Sequence, residues 1–167
     1  MGPDLYKVQV VGDGFLAVMA KPVAGEWLVD DLRSLAQSGV VRVLSLLEPE
    51  EQRELGLAEE AAACEEAGLG YESYPIPDRG LPKSLEEFQS YARTLHDSIA
   101  RGSSTVVHCR AGIGRSGMAS AAVLLHAGFG ADEALARTSQ ARGVDVPDTS
   151  AQRDFIFAME EAIAREA

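Results

Sequence analysis

Nine residues of this chain bring a thiol, two guanidinium groups and a hydroxyl into one short stretch: His108-Cys109-Arg110-Ala111-Gly112-Ile113-Gly114-Arg115-Ser116. A thiolate is a nucleophile that can form a covalent intermediate. It needs a depressed pKa, which a neighbouring arginine and a helix N-terminus supply. Gly112 and Gly114 permit backbone conformations that turn successive N–H groups inward. Such a concave nest at a helix N-terminus binds an oxyanion. Arg115 can then hold two phosphoryl oxygens bidentately. These residue types at this spacing suit displacement at a phosphate, with Cys109 as the attacking group.

Flanking elements have to hold that stretch in place. Ser104 to Val107 reads as a buried strand, and Met118 to Ala127 as a helix apolar nearly all round, hence inside the domain. Strand and helix patterns alternate along the chain, which points to an α/β layer architecture. Phe15 to Ala20 reads as a strand. Glu26 to Gln37 places Leu28, Leu32 and Leu35 on one helical face. Val40 to Leu47 is a β-rich run expected at the centre of a sheet. Pro49 to Ala67 is an acidic, alanine-rich helical stretch with a break point at Gly56. Tyr71 to Ile76 is a short strand. Ser84, with Glu87 three residues on, forms a capping box, and Leu85, Phe88, Ala92, Leu95 and Ile99 mark the buried side of the helix that follows. Helices near Ala131–Arg142 and Thr149–Ala164 close the chain.

The chain has 167 residues, enough for one domain (1–167) with a sizeable core. It is 46% hydrophobic and 25% charged, ordinary for a globular protein. No run is apolar enough for a membrane span, and Met1-Gly2-Pro3-Asp4 does not open a signal peptide. Two cysteines, one the proposed nucleophile, argue against a disulfide framework. A reducing cytoplasm suits a thiol that must stay reduced. The net charge of −11 repels nucleic acid and anionic lipid. Arg110, Arg115 and the loop amides must therefore capture an anion against an unfavourable global field.

His108 to Ser116 resembles the signature loop of the cysteine-dependent protein tyrosine phosphatases, Cys-x5-Arg-Ser/Thr, with strand, nucleophile, glycines, arginine, hydroxyl and helix in order. The resemblance runs from about Val40 to the C-terminus. It implies that family's fold: a mostly parallel central sheet of four to five strands flanked by helices. Expelling an alcohol from a phosphoester needs a proton donor for the leaving oxygen. Pro75-Ile76-Pro77-Asp78-Arg79-Gly80, 31 positions upstream of Cys109, is similar to the family's mobile acid loop. Its prolines stiffen the approach and Gly80 allows a hinge. A Pro-Asp-x-Gly run alone is simply a turn; beside the signature loop, Asp78 is expected to be the acid. Ile76 stands where the tyrosine-specific branch carries tryptophan, so the loop resembles the dual-specificity branch. Arg142-Gly143, followed by Gln152 and Phe155, resembles the kinase-associated-phosphatase-like members.

The resemblance implies further roles. Arg115 and the amides of Arg110, Ala111, Gly112, Ile113 and Gly114 hold the phosphoryl oxygens. His108 orients the loop. Ser116 donates to the departing sulfur, although a hydroxyl there also serves local backbone bonding. Gln152 positions the hydrolytic water, or else completes a capping box with Thr149. Cys64 shares a helical stripe with Leu57 and Ala61 and is expected in the packing; some relatives pair such a thiol with the nucleophile. His96 and His126 lie within helices with no other metal-ligating residue clustered beside them, and are expected to be structural or exposed rather than metal ligands. The reading is a phosphomonoesterase that needs no metal and no cofactor and acts on phosphotyrosine, and also phosphoserine or phosphothreonine, in proteins. A phosphoinositide phosphatase ranks second, because the loop has no lysine to meet extra phosphates. A non-catalytic phosphate-binding scaffold is the third reading, and the presence of Cys109, Arg115 and Asp78 together argues against it. A cycle needing deprotonated Cys109 and protonated Asp78 implies a bell-shaped pH profile, highest on the acid side of neutral.

Overall fold

Alternation along the strands sorts their side chains into two core layers. The computed structural model describes residues 2–166. Five strands, β1 (Tyr6–Val11), β2 (Gly14–Met19), β3 (Arg42–Ser45), β4 (Gly70–Ser73) and β5 (Thr105–His108), form one sheet in the order β1-β2-β5-β3-β4. The last four run parallel, and β1 lies antiparallel to β2 at one edge. Leu16, Val18, Leu44 and Val107 enter one layer, while Ala17, Met19, Val43 and Val106 enter the other. A parallel sheet covered on both faces needs apolar residues on both sides, which is why β2 is apolar throughout and Val43-Leu44 and Val106-Val107 fill the middles of β3 and β5.

Helices cover both faces: α1 (Leu28–Gln37), α2 (Pro49–Glu54), α3 (Glu60–Glu66), α4 (Leu85–Ala100), α5 (Gly114–His126), α6 (Ala131–Arg142) and α7 (Ser150–Glu166). The predicted stripe of Leu28, Leu32 and Leu35 on α1 packs with Ala63 and Cys64 of α3 on one face. On the other, Phe88, Ala92, Leu95 and Ile99 of α4 pack with α5 and α7, and α6 joins the same layer through α5. Ser84 caps α4, accepting the Glu87 N–H at 3.1 Å; the return bond of the predicted capping box, from the Ser84 N–H to the Glu87 carboxylate, is not formed among the described residues. Every residue of α5 from Gly114 to Leu125 is buried, as its all-round apolarity requires.

The acidic stretch breaks at Gly56, whose φ of +70° ends α2 and lets Leu57 turn into the core before α3 begins. The expected strand at Tyr71–Ile76 leaves the regular sheet after Ser73. Its direction is kept by bonds from Tyr74 N–H to the Ser45 carbonyl (2.9 Å) and from Ile76 N–H to the Leu46 carbonyl (3.0 Å). β1 was not expected. It pairs with β2 across the two-residue turn Gly12–Asp13, with an irregularity between Lys7 and Gln9 that breaks its alternation. Among the described residues no helix is long and apolar enough to cross a membrane.

Candidate active site

β5 delivers the loop and α5 receives it, both from the middle of the fold. Between them the chain must turn against the end of β2. At Gly112, with φ +74°, a Cβ would stand 2.4 Å from the Met19 carbonyl oxygen, so only glycine fits. Four successive loop carbonyls are held from outside. The Cys109 carbonyl oxygen lies 3.1 Å from His108 Nδ1. That of Arg110 accepts the Lys21 N–H at 3.0 Å. Those of Ala111 and Gly112 accept Arg142 Nη2 at 2.9 Å and Nε at 3.2 Å. In a planar trans peptide the C=O and the next N–H point opposite ways. Outward carbonyls at 109 to 112 therefore send the N–H groups of Arg110, Ala111, Gly112 and Ile113 to the concave side. Arg142 is steadied in turn over the Tyr6 ring, 4.4 Å from its centroid, so the edge strand β1 contributes to the site.

Arg115 is 2% exposed, and a buried guanidinium needs a buried acceptor. Glu51 supplies it: Oε1 accepts Nη1 at 2.6 Å and Oε2 accepts Nη2 at 3.0 Å. Glu51 Oε1 also accepts the Glu48 N–H at 3.0 Å, and Oε2 accepts Arg110 Nε at 2.7 Å. Burial would raise this carboxyl; the hydrogen bonds from Arg115, the Glu48 N–H and Arg110 more than reverse it and hold its pKa at about 2. Glu51 thus takes the Nη1/Nη2 end of Arg115 and leaves its Nε/Nη2 edge for the expected bidentate hold on a phosphoryl group. Nη1 also donates to the Ile76 carbonyl at 2.9 Å, and Nη2 to Asp78 Oδ1 at 3.2 Å. Of the five N–H groups of arginine, only Nε–H has no carboxylate or carbonyl partner among the described residues, and the one aimed at Asp78 can be exchanged.

Asp78 sits on a turn closed by the Gly80 N–H donating to the Pro77 carbonyl at 2.8 Å. The sequence placed the freedom of this loop at Gly80. The left-handed residue is instead Arg79, with φ +59°, and Gly80 is required because a Cβ there would stand 2.9 Å from Pro77 Cβ. Gln152 is fully buried and reaches the same turn, its Nε2 donating to the Gly80 carbonyl at 3.1 Å. The hydroxyl of Thr149 caps α7 by accepting the Gln152 N–H at 3.1 Å. The side chain of Gln152 therefore does not close a capping box; it ties α7 to the acid loop. Its Oε1 has no partner among the described residues, and neither has the buried hydroxyl of Ser116. Ser116 lies on the first turn of α5, which no side chain caps, so its hydroxyl is not spent on the helix end.

Asp78, Arg79, Cys109, Arg110, Ala111, Gly114, Arg115 and Asp148 line one small pocket, which brings the sequence-selected acid, nucleophile and arginine together. Asp148 is also part of the wall of an adjoining groove of about 650 Å³, with Asp132 and Asp145. Cys64 and Cys109 are both buried free thiols, packed in different core layers on opposite faces of the sheet. Burial, then the Glu60 charge, pushes the Cys64 thiol up to about 12. His96 pairs with Asp97 at 2.9 Å, and His126 closes α5. Sequence reasoning missed Glu51, Asp148 and the carbonyl clamp of Arg142. A signal for Glu51 existed: an arginine bound for the interior requires a carboxylate, and Glu48-Pro49-Glu50-Glu51 comes only two residues after β3, which lies beside the central strand β5 and not at the centre itself.

A mostly parallel sheet that sets a Cys-x5-Arg loop between its central strand and a buried helix defines the cysteine-dependent tyrosine phosphatase superfamily, dual-specificity branch. A family model described as "Polymorphic toxin system, DSP-PTPase phosphatase" matches residues 17–129, and the chain belongs to that family. An Arabidopsis thaliana protein, the phosphatidylinositol 3,4,5-trisphosphate 3-phosphatase and protein-tyrosine-phosphatase PTEN1, is 35% identical over 92 residues. That match takes in 51% of this chain and 21% of the relative, so the chain spans about a fifth of its length. Among solved structures, Tk-PTP in the active form is 26% identical with a TM-score of 0.77, over 96% of this chain and 99% of that one. Kinase associated phosphatase with its catalytic-site cysteine changed to serine shares the fold at a TM-score of 0.85 and 18% identity, over 98% and 97% of the two chains. PTPMT1 in complex with PI(5)P does so at 0.74 and 18%, over 98% and 99%.

Proposed function

We infer that the chain is a phosphomonoesterase acting on phosphotyrosine in proteins, with phosphoserine and phosphothreonine as further substrates, through a phosphocysteine intermediate. The observation that carries this reading is the loop itself: four carbonyls turned outward around Cys109, with Arg115 buried at its edge. Residues 1–167 act in this reading as one catalytic domain, and the cytoplasm, a reducing compartment, suits its free thiols.

In the first step the Cys109 sulfur attacks phosphorus, and the bond to the leaving oxygen breaks as Asp78 gives that oxygen its proton. The inward amides and Arg115 stabilise the equatorial oxygens. Arg115 offers its Nε–H, and its Nη2–H once the phosphoryl group displaces Asp78 from it. That exchange frees Asp78 for the leaving group at the moment substrate is seated. Glu51 keeps the guanidinium plane fixed throughout. In the second step water attacks phosphorus, Asp78 takes a proton from it, and the S–P bond breaks with Ser116 donating to the departing sulfur. The unpaired Oε1 of Gln152, on a side chain already bonded to the acid loop, is an acceptor suited to that water.

The likeness to PTEN1 favours a phosphoinositide as the second reading. Against it, the adjoining groove sets three carboxylates, Asp132, Asp145 and Asp148, against one arginine, Arg153, which pairs with Asp132 at 3.5 Å, so the groove carries net negative charge toward extra phosphates. The test is a panel of phosphotyrosine, phosphoserine and phosphothreonine peptides and phosphoinositide vesicles, each run with the chain and with Cys109→Ser. Fastest turnover of phosphotyrosine peptides, absent in the variant, supports the reading. Turnover confined to the vesicles replaces it with the second.

A further inference from the structure

Three of the four loop carbonyls are pinned by groups with one possible role: a backbone N–H and an arginine. The fourth pin is an imidazole, which can change tautomer and charge. His108 is fully buried at the end of β5, on the face of the sheet covered by α1 and α3. Its Nδ1 faces the Cys109 carbonyl at 3.1 Å, and its Nε2 lies 2.6 Å from Glu60 Oε2. A carbonyl oxygen only accepts, so Nδ1 must carry a hydrogen. One more hydrogen is shared between Nε2 and Oε2. Whether written as imidazolium and carboxylate or as imidazole and carboxylic acid, the pair is neutral as a unit.

Glu60 is 0% exposed, and its other oxygen, Oε1, has no partner among the described residues. A buried carboxyl with one oxygen unmatched is costly, and buried ion pairs are a poor source of stability. The other titratable groups facing the pair are the Cys64 thiol on α3 and the Tyr71 hydroxyl on β4, both pushed up by burial and then by Glu60. Neither is a cation, so His108 is the carboxyl's natural partner. An apolar residue would fill the site on α3 at less cost, unless His108 needs the carboxyl.

Resting on the reading of the reaction given above, we propose that Glu60 is a positioning residue for Cys109: by fixing the tautomer of His108 it locks the Cys109–Arg110 peptide, which aims the Arg110 N–H into the loop. Without it, neutral His108 would choose between two tautomers. The Nε2–H form sets a lone pair against the Cys109 carbonyl and releases that peptide to rotate. A rotated peptide removes one amide from the concave side, where both the thiolate and the phosphoryl oxygens need it.

The pH dependence of Cys109 alkylation by iodoacetamide, read peptide by peptide by mass spectrometry, tests this in the intact chain. Glu60→Gln keeps an acceptor and a donor beside Nε2 and so can keep the Nδ1–H tautomer; its alkylation midpoint and kcat/KM should stay within about threefold of the parent. Glu60→Leu should raise the midpoint by about one pH unit and lower kcat/KM tenfold or more at fixed pH. A midpoint unmoved in a folded Glu60→Leu protein would overturn the proposal, since a merely structural role changes melting and not thiolate formation. Should that variant fail to fold, imidazole ¹⁵N spectra of the parent decide. His108 should show a protonated Nδ1 at neutral pH; a ring protonated at Nε2 alone refutes the assignment. Alkylation needs no turnover, so an inactive parent would strike the proposed reaction and leave this test readable.

Discussion

Replacing Glu51 by Gln should cost this protein more than the loss of any exposed carboxylate, and the cost should depend on pH in a set way. Glu51 is held at a pKa of about 2 against an ordinary 4.5. Each tenfold gain in acidity on folding is worth about 1.4 kcal/mol, so the folded state gains about 3 kcal/mol from ionised Glu51 at neutral pH. A carboxyl whose pKa falls on folding stabilises above its unfolded pKa and loses that contribution as pH drops toward the folded value. The contribution is therefore whole above about pH 5, fades below about 4.5, and at pH 3 is about 1.4 kcal/mol by the same linkage. Glutamine leaves buried Arg115 without its charge partner, and the gap between parent and variant should follow this curve. Urea unfolding of both proteins at pH 7, 4 and 3 measures it; at pH 7 the melting temperature should fall by about 6–12 °C. A gap under about 1 kcal/mol at pH 7, or one that does not narrow on acidification, would refute the assignment of Glu51 as the anchor of Arg115.

Asp78→Asn should slow turnover of an unactivated phosphotyrosine peptide roughly 10²–10⁴-fold, and an aryl phosphate with a good leaving group much less; equal losses on both would leave Asp78 a structural residue. Arg142→Ala frees two loop carbonyls from a charged donor, a bond type worth about 1.5–3 kcal/mol. Tungstate inhibition should weaken roughly tenfold or more, and unchanged inhibition would show that the loop holds its shape without the clamp. Arg79→Gly relieves a left-handed residue, a conformation costing about 1–2 kcal/mol for a side chain. Its ion pair with exposed Asp148, 3.9 Å from Nη1, contributes little, so thermal stability should rise by up to about 1 kcal/mol, and a fall would place the cost elsewhere.

Much of the loop was legible because its constraints are local. A strand, two glycines, an arginine and a helix must follow one another for a nest to form, and Gly112 shows the reason in its approach to Met19. The layers were legible for the same reason, since Leu28, Leu32 and Leu35 repeat at helical spacing and α5 is apolar on all sides. The edge strand β1 was not, because its irregularity between Lys7 and Gln9 interrupts the period of two. Glu51 and Glu60 stand in one acidic stretch where every glutamate looks alike; only contacts to Arg115 and His108, about fifty residues or more away in the chain, single them out. Gln152 shows a competing bond winning: Thr149 alone caps α7, which releases the amide to reach Gly80.

The central claim is that Cys109 carries the phosphoryl group. Rapid acid quench of the chain mixed with a ³²P-labelled phosphotyrosine peptide, followed by peptide mapping, tests it most directly. Label should appear on the peptide containing Cys109, within one turnover, as a sulfur-linked phosphate, and Gln152→Ala should increase it by slowing hydrolysis. The Cys109→Ser protein should show none. Turnover of the substrate with no label on Cys109, or label on another residue, would contradict the account.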